Sequence, residues 1–242
     1  MTIKASKTSR WISAHRPHLA ISTVLLALVF IPALWFALAY GGLPRLWSHH
    51  EHKEGKVLGD AVAYTAQDIP GDPINLKIDG SQAAIEAAMQ HNGWMRADAV
   101  SLVSGLQIGE SVILSKPYPN APVSPLYLHD KQQDIAYQHD EGRSADKRHH
   151  VRFWQVAPGH WFGSATFDRG VGVSLYTLQI THHIGPDVDK ERNTVAGILG
   201  NGRQPTLIAL FGASKAGVRR NGGGDKYATD GKVAEVNLEQ LP

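Results

Sequence analysis

The sequence contains no cysteine among its 242 residues. Disulfide frameworks and thiolate zinc sites are therefore excluded. Two phosphate-binding patterns are also missing, because no GxGxxG follows an apolar strand and no glycine-rich loop ends in GK[ST]. A nucleotide cofactor is not indicated, since such loops supply the backbone amides that hold its phosphates.

The excess of positive charge is small, at +2, and it belongs to the N-terminal tail. Residues 1–18 carry four Lys or Arg and no acidic residue, whereas from Asp60 onward 17 Lys and Arg face 20 Asp and Glu. A protein that follows a phosphate backbone needs a basic surface on its folded domain. We therefore expect no nucleic-acid partner.

A run of 22 uncharged residues extends from Leu19 to Tyr40. At about 1.5 Å per residue, a helix of this length spans a hydrocarbon core of roughly 30 Å. Pro32 is tolerated better in a membrane helix than in a soluble one. We predict a basic cytoplasmic tail at 1–18 and a single transmembrane helix at 19–40, in contact with membrane lipid.

A cleavable signal peptide is the alternative for this segment, because Ala37-Leu38-Ala39 has the small-x-small form of a cleavage site. The apolar region is longer than the usual about 7 to 15 residues, which favours an uncleaved anchor. Orientation follows from the flanking charges. The four basic residues of the tail outnumber Arg45, Lys53 and Lys56, which predicts a cytoplasmic tail and a domain outside the cytoplasm.

Residues 41–59 predict a linker, since glycine, Pro44 and charged residues follow no regular period there. Residues 60–242 then form one folded domain. Helices are predicted from Ser81, as N-cap, to about His91, more weakly over 97–114, and over 187–199 after Pro186. Strands are predicted at 74–78, 148–156 and 161–168, with a buried strand at 206–211, one hairpin from 126–129 and 134–139, and a final one from 227–229 and 233–238.

Strands and helices do not alternate regularly along the chain. This arrangement favours an α+β fold over a doubly wound one. We expect a largely antiparallel sheet with two or three helices, preceded by the transmembrane helix.

The stretch from Arg148 to Asp189 carries five of the 13 histidines, on segments whose aromatic and β-branched residues are typical of strands. Polar chemistry on strands marks it as the candidate ligand-binding region. The candidate residues are His149, His150, Arg152, Asp168, Arg169, His182, His183, Asp187 and Asp189. Neighbouring strand residues point to opposite faces, so only one histidine of each pair can line a given site.

One histidine from each pair, with a carboxylate, would make a nitrogen and oxygen set for a divalent metal. The metal candidates are His149, His182, His183, Asp168 and Asp187. The spacing matches no standard motif such as HExxH, so no catalytic residue is assigned and no cofactor beyond a divalent metal is considered. Histidines that hydrogen-bond to carboxylates and backbone are the favoured interpretation.

The arginines of the region suit a phosphate or carboxylate ligand, because a guanidinium group binds such anions with two hydrogen bonds. The arginines concerned are Arg148, Arg152, Arg169 and Arg192. Salt bridges to nearby carboxylates are the alternative, and they are favoured. The partners would be Asp168, Asp187, Asp189 and Glu191.

Gly212-Ala213-Ser214-Lys215-Ala216 follows an apolar strand, as a nucleophilic serine does in some hydrolases. Such a serine needs a helix directly behind it. Here Asn221-Gly222-Gly223-Gly224 follows within a few residues, which disfavours a serine hydrolase.

Several unconnected motifs occur in a fixed order between about residues 70 and 200. They are Gly71-Asp72-Pro73-Ile74-Asn75, Gly93-Trp94, Lys116-Pro117-Tyr118-Pro119, Pro122-Val123-Ser124 with Leu126-Tyr127-Leu128, His149-His150-Val151-Arg152-Phe153-Trp154, Ala165-Thr166-Phe167-Asp168-Arg169-Gly170, Gln179-Ile180-Thr181-His182-His183-Ile184 and Pro186-Asp187-Val188-Asp189. In these motifs the chain resembles the LssY-like C-terminal domain.

The resemblance implies a bacterial protein of the cell envelope, in or at the inner membrane. Domains of this family occur fused to membrane proteins, including lipid phosphatases and DedA-like proteins. One apolar run stands here where those proteins have several, so phosphatase activity is not carried over. We expect a binding or accessory module for a membrane protein or a lipid-derived ligand. The alternative is a metal-dependent hydrolase acting on lipid-derived or phosphate-bearing substrates.

The predicted orientation can be tested with a phosphatase reporter that is active only outside the cytoplasm. Fused after Pro242, the reporter should be active. Neutral residues in place of the four basic ones, Lys4, Lys7, Arg10 and Arg16, should lower its activity, because Arg45, Lys53 and Lys56 then dominate the charge bias. A reporter that is silent on the unchanged chain places the domain in the cytoplasm.

Overall fold

A computed structural model describes residues 8–53, 62–97, 123–141, 147–209 and 216–238. Its N-terminal helix begins as α1 (Thr8–Ala37), passes through a π-helical turn (Leu38–Gly42) and continues as α2 (Leu43–Lys53). In the described part of the chain, this helix alone is long and apolar enough to cross a membrane, over Thr23–His50. Its large apolar side chains are exposed, Leu28 to 65%, as lipid contact requires and a core helix does not.

The helix continues well beyond Tyr40, through residues for which irregular structure is predicted. The reason is tertiary contact. Trp47 stacks on Tyr176 with a ring-centroid distance of 4.1 Å and donates a hydrogen bond from Nε1 to the carbonyl of Gly222. Ser48 donates to the carbonyl of Asp68. No local sequence pattern predicts contacts between residues this far apart in the chain.

The described residues of the domain form three sheets and two helices. Its strands are β1 (Val62–Tyr64), β2 (Pro70–Pro73), β3 (Leu76–Asp79), β4 (Met95–Arg96), β5 (Tyr127–Leu128), β6 (Lys131–Gln132), β7 (Ile135–Asp140), β8 (Arg148–Ala157), β9 (His160–Val173), β10 (Ile180–Ile184), β11 (Thr206–Ala209), β12 (Gly217–Arg220), β13 (Lys226–Thr229) and β14 (Lys232–Asn237). The helices are α3 (Gln82–His91) and α4 (Val188–Leu199).

The large sheet has the order β11-β14-β3-β9-β8-β7-β4, and β10 also pairs with β9. All its pairs are antiparallel except β14 with β3. A small sheet has the order β2-β1-β5-β6, and β12 forms a separate hairpin with β13. The α+β prediction with a largely antiparallel sheet is confirmed.

Both domain helices begin as the sequence predicts. The hydroxyl of Ser81 accepts a hydrogen bond from the amide of Ala84, and the Asp187 carboxylate accepts one from Lys190. These caps satisfy amides that a helix leaves without a partner at its first turn. The helices pack on one face of the large sheet, where Ile85 and Val195 join the core.

Asn75 keeps β9 continuous where its neighbour changes. β3 pairs with β9 as far as Gly163, and β10 takes over at Asp168. In the gap between them, the Asn75 side chain donates to the carbonyl of Ala165 and accepts from its amide, both at 2.9 Å. The side chain therefore replaces the missing strand, and β9 can carry the site along its length.

Several pairings differ from the prediction. β5 pairs with β6, through a turn in which His129 and Asp130 have positive φ, and β7 pairs with β8. β13 pairs with β12, while β14 lies between β3 and β11. β11 is an exposed edge strand, not a buried one. The predicted helix at 97–114, apart from its first residue, and Ser214 lie outside the described residues.

Candidate functional site

A polar pocket lies on the face of β8 and β9 that is turned away from the helices. Its volume is about 120 Å³. The charged groups and histidines that line it come from four strands. They are Asp72 of β2, His150 and Arg152 of β8, Asp168 of β9 and His182 of β10. Hydroxyl and amide side chains complete the polar lining, from Thr65, Ser124, Ser174, Thr177, Gln179, Thr181 and Asn221.

Strand alternation explains why β8 has one polar and one apolar face. Val151 and Phe153 point to the helices and are fully buried in the core. Three polar residues point the other way and pair with polar residues of β9. The pairs are Arg148 with Asp168, His150 with Thr166 and Arg152 with Ser164. All six are buried, so this face is a polar layer inside the protein.

A buried ion pair closes the pocket between the two sheets. Arg152 Nη1 donates to Asp72 Oδ2 at 2.7 Å. Both residues are buried, and Asp72 also accepts a long hydrogen bond, 3.4 Å, from the Thr166 hydroxyl. Arg152 Nε donates further to the carbonyl of Ser124. Removing one partner of such a pair typically costs about 3–5 kcal/mol, because the other charge stays buried alone.

His150 is only 2% exposed, and it lines the pocket. Its Nδ1 lies 3.2 Å from Asp168 Oδ2, but not in line for a hydrogen bond. Within the described residues, neither ring nitrogen has a hydrogen-bond partner. Burial, and then the charges of Arg148 and Arg152, lower the pKa of His150 well below its usual range. The ring is therefore neutral, with one donor and one acceptor available to a ligand.

Asp168 titrates near neutral pH. Burial, and then the negative charge of Asp72, raise the pKa of Asp168 to about 7, although Arg152 and Arg148 oppose this. His182 lies near the same carboxylate oxygen, with Nδ1 3.9 Å from Asp168 Oδ2. A carboxyl group that exchanges its proton near pH 7, beside two imidazoles, can donate or accept a proton in a reaction or a binding step.

The other sequence-predicted candidates do not reach the pocket. His149 points to the helix side, with Nδ1 2.8 Å from Glu191 Oε2, and this hydrogen bond raises its pKa. His183 Nδ1 lies 2.8 Å from Asp225 Oδ1, which also accepts from Arg169. The remaining two belong to the start of α4. Asp187 is the N-cap, and Asp189 accepts from Thr229, Asp230 and Arg192.

Of the five metal candidates, only His182 and Asp168 come together at the pocket. Within the described residues, no group of three or more His, Asp and Glu side chains could hold a metal ion. His149 and His183 each face a single carboxylate, which fits the hydrogen-bonding interpretation of the histidines. Arg169 and Arg192 likewise form salt bridges with Asp225 and Asp230. Arg152, in contrast, lines the pocket.

Sequence reasoning missed Asp72 as a site residue. It precedes Arg152 by 80 positions, and only the pairing of the two sheets brings them together. A signal was present in the sequence, because Asp72 stands between Gly71 and Pro73 in one of the ordered motifs. Thr166 was missed as well, although it shares the polar face with His150.

A family model for the LssY C-terminus matches residues 57–233. The chain belongs to the LssY C-terminal domain family. The match confirms the resemblance seen in the motifs. The matched range includes all the residues that line the pocket. No curated protein and no solved structure matches the chain.

Replacing Asp168 by Asn tests the titration of this carboxyl group. The unfolded chain ionises Asp168 at its ordinary pKa of 3.8 and the folded LssY domain at about 7, so its contribution to stability falls as the pH rises from about 4 through about 7. Asn has nearly the same shape and no charge to bury. Asp168→Asn should therefore raise the free energy of unfolding more at pH 8 than at pH 5. The linkage relation gives a difference on the order of a few kcal/mol between the two pH values.

The measurement is urea denaturation of both proteins at the two pH values, in detergent. An equal effect of the substitution at pH 5 and pH 8 would show that Asp168 does not titrate in this range.

Proposed function

We propose that this protein is a single-pass, membrane-anchored binding protein whose LssY domain holds a small polar ligand with an anionic group. In this role it acts as an accessory module at the cell envelope. One observation carries the proposal. The imidazole of His150 is buried beside Arg152, faces a cavity, and has no hydrogen-bond partner within the described residues. A buried polar group without a partner costs about 1–3 kcal/mol, which a ligand that pairs with it would offset.

The size of the pocket selects a small ligand or the head of a larger one. A cavity of about 150 Å³ holds one benzene molecule, whereas pockets for drug-sized ligands begin at about 300 Å³. The pocket here is about 120 Å³. Such a volume suits a phosphate or carboxylate group with a few attached atoms, as in the polar head of a lipid-derived molecule.

The charges around the pocket favour an anion when Asp168 is protonated. Arg148 and Arg152 are buried, and Asp72 faces Arg152. Protonation of Asp168, whose pKa is raised to about 7, removes one negative charge, so the two guanidinium groups then face only the Asp72 carboxylate and one positive charge is in excess. A guanidinium group binds phosphate or carboxylate with two parallel hydrogen bonds. Anion binding should therefore be tighter below pH 7 than above it.

The membrane part of the proposal rests on the exposed apolar helix and the distribution of Lys and Arg. These support an inner-membrane anchor with a cytoplasmic tail and the LssY domain outside the cytoplasm of a bacterial cell. Membrane lipid is then a partner through the helix, and the ligand is lipid-derived or belongs to a membrane protein.

An enzyme is the second candidate, and the protonation of Asp168 favours it. A carboxyl group with a pKa of about 7 between His150 and His182 could act as a general acid on a lipid-derived or phosphate-bearing substrate. A hydrolase of this kind would use these three groups directly. A metal-dependent hydrolase is not supported, because the described residues contain no group of three or more His, Asp and Glu side chains that could hold a metal ion.

Thermal unfolding of the full chain in detergent, with inorganic phosphate or glycerol 3-phosphate, tests the binding proposal. A ligand present at 100 times its Kd and bound only to the folded state adds about 2.7 kcal/mol of stability. We expect a rise in Tm that is larger at pH 6 than at pH 8. Arg152→Lys should abolish the rise, because lysine keeps the charge but loses the two-bonded geometry.

Arg169→Lys is the matched control, because Arg169 lies on the same sheet, outside the pocket, and is largely exposed. Its response to phosphate should equal that of the unchanged protein. No rise in Tm with either compound at either pH, or an equal rise in both variants, would contradict an anion site at Arg152. Release of phosphate from glycerol 3-phosphate would favour the enzyme.

A further inference from the structure

The outer end of the β9–β10 hairpin exposes large apolar side chains. Leu175 is 89% exposed, Ile180 58% and Val173 47%. The loop between the strands is held by its own hydrogen bonds. Ser174 accepts a hydrogen bond from Leu178 at its carbonyl and one from Thr177 at its hydroxyl. Contiguous apolar surface that is held in place by its own backbone marks a contact surface.

This hairpin end lies beside the membrane helix. Tyr176 stacks on Trp47 with a ring-centroid distance of 4.1 Å and an angle of 10° between the rings. Trp47 follows the end of the apolar run at Tyr40 by seven residues, or about 10 Å along a helix. Headgroup layers extend about 5 to 8 Å beyond the hydrocarbon core on each side. Tyr176, and Leu175 next to it, are therefore at about the outer edge of the headgroup layer.

Basic side chains accompany the apolar ones. Arg220 Nη1 donates to the Tyr176 hydroxyl at 3.2 Å, and Arg219 is its neighbour on β12. Arg45 is exposed on α2, two positions before Trp47. Exposed apolar residues accompanied by basic side chains are typical of surfaces that enter the headgroup layer of anionic membranes.

We propose that the end of the β9–β10 hairpin, residues 173–180, enters the headgroup layer of the bilayer that holds α1, with Leu175 deepest. The proposal rests on the membrane anchoring proposed above. It has a consequence for the pocket, because Ser174, Thr177 and Gln179 of the same hairpin line it. The pocket then lies at the level of the lipid headgroups, and its ligand comes from the bilayer instead of from solution.

The absence of cysteine makes a site-specific test direct, since each introduced cysteine is the only one to react. Three single variants of the full chain are labelled with an environment-sensitive fluorophore. Leu175→Cys reports the hairpin, Leu28→Cys the apolar helix, and Val156→Cys is the control. Val156 is an exposed apolar residue like Leu175, but it lies at the β8–β9 turn, at the opposite end of β9. The proteins are reconstituted into vesicles of phosphatidylcholine and phosphatidylglycerol.

We expect blue-shifted emission at position 175, loss of that emission with nitroxide-labelled lipid, and protection from iodide. The label at 156 should be quenched by iodide only. Two results overturn the proposal while anchoring stands, and in both the label at position 28 is quenched by nitroxide-labelled lipid. In the first, the label at 175 behaves like the label at 156. In the second, the label at 175 is protected from iodide without being quenched by lipid, which shows that a second copy of the protein covers it. No lipid quenching at position 28 overturns the anchoring and this proposal together.

Discussion

The ion pair between Arg152 and Asp72 is the contact on which the arrangement of the domain depends. It joins β8 of the large sheet to β2 of the small one at 2.7 Å, with both groups buried. A buried ion pair contributes little net stability compared with apolar residues of the same size, because both charges lose their water. Its effect is geometric. The two sheets are held at a distance that leaves a polar cavity between them, lined by His150, Asp168 and His182.

The two faces of β8 therefore differ in role, since one stabilises the domain and the other forms the proposed ligand site. On the helix side, Val151 and Phe153 pack with residues of α3 and α4, and burial of each such side chain contributes about 1.5–3 kcal/mol. On the pocket side, the buried positions hold the polar residues Arg148, His150 and Arg152, which do not make that apolar contribution. A protein keeps polar groups inside at such a cost when they serve recognition or chemistry. The face that reduces stability is thus the one that supports the proposed ligand site.

Alternation along the chain predicts much of the site, and distance along the chain limits the rest. The His149-His150 pair on a strand predicts that the two rings diverge, and they do. Which ring faces the pocket depends on the helices, since Glu191 of α4 takes His149. Pro186 likewise predicts that α4 starts at about Asp187, which is its N-cap. The partner of Arg152, the continuation of the helix past Tyr40 and the pairing of β14 with β3 arise from contacts between distant segments, and no local pattern encodes them.

The β9–β10 hairpin lies between the N-terminal helix and the pocket. One side of its loop supplies Ser174 and Thr177 to the cavity, and Tyr176 stacks on Trp47 of the N-terminal helix. Gly222, which also lines the pocket, accepts the hydrogen bond of Trp47. The N-terminal helix and the pocket therefore share supporting residues.

Replacing His150 by Leu is the most direct test that the buried polar face serves a ligand and not the stability of the domain. At pH 6, with Asp168 protonated, leucine fills the space and removes two polar atoms that have no hydrogen-bond partner within the described residues. We expect a Tm higher by roughly 2–4 °C for each kcal/mol recovered. His149→Leu, which leaves Glu191 buried without its partner, should lower the Tm. A fall in Tm for His150→Leu, comparable to that for His149→Leu, would contradict the account.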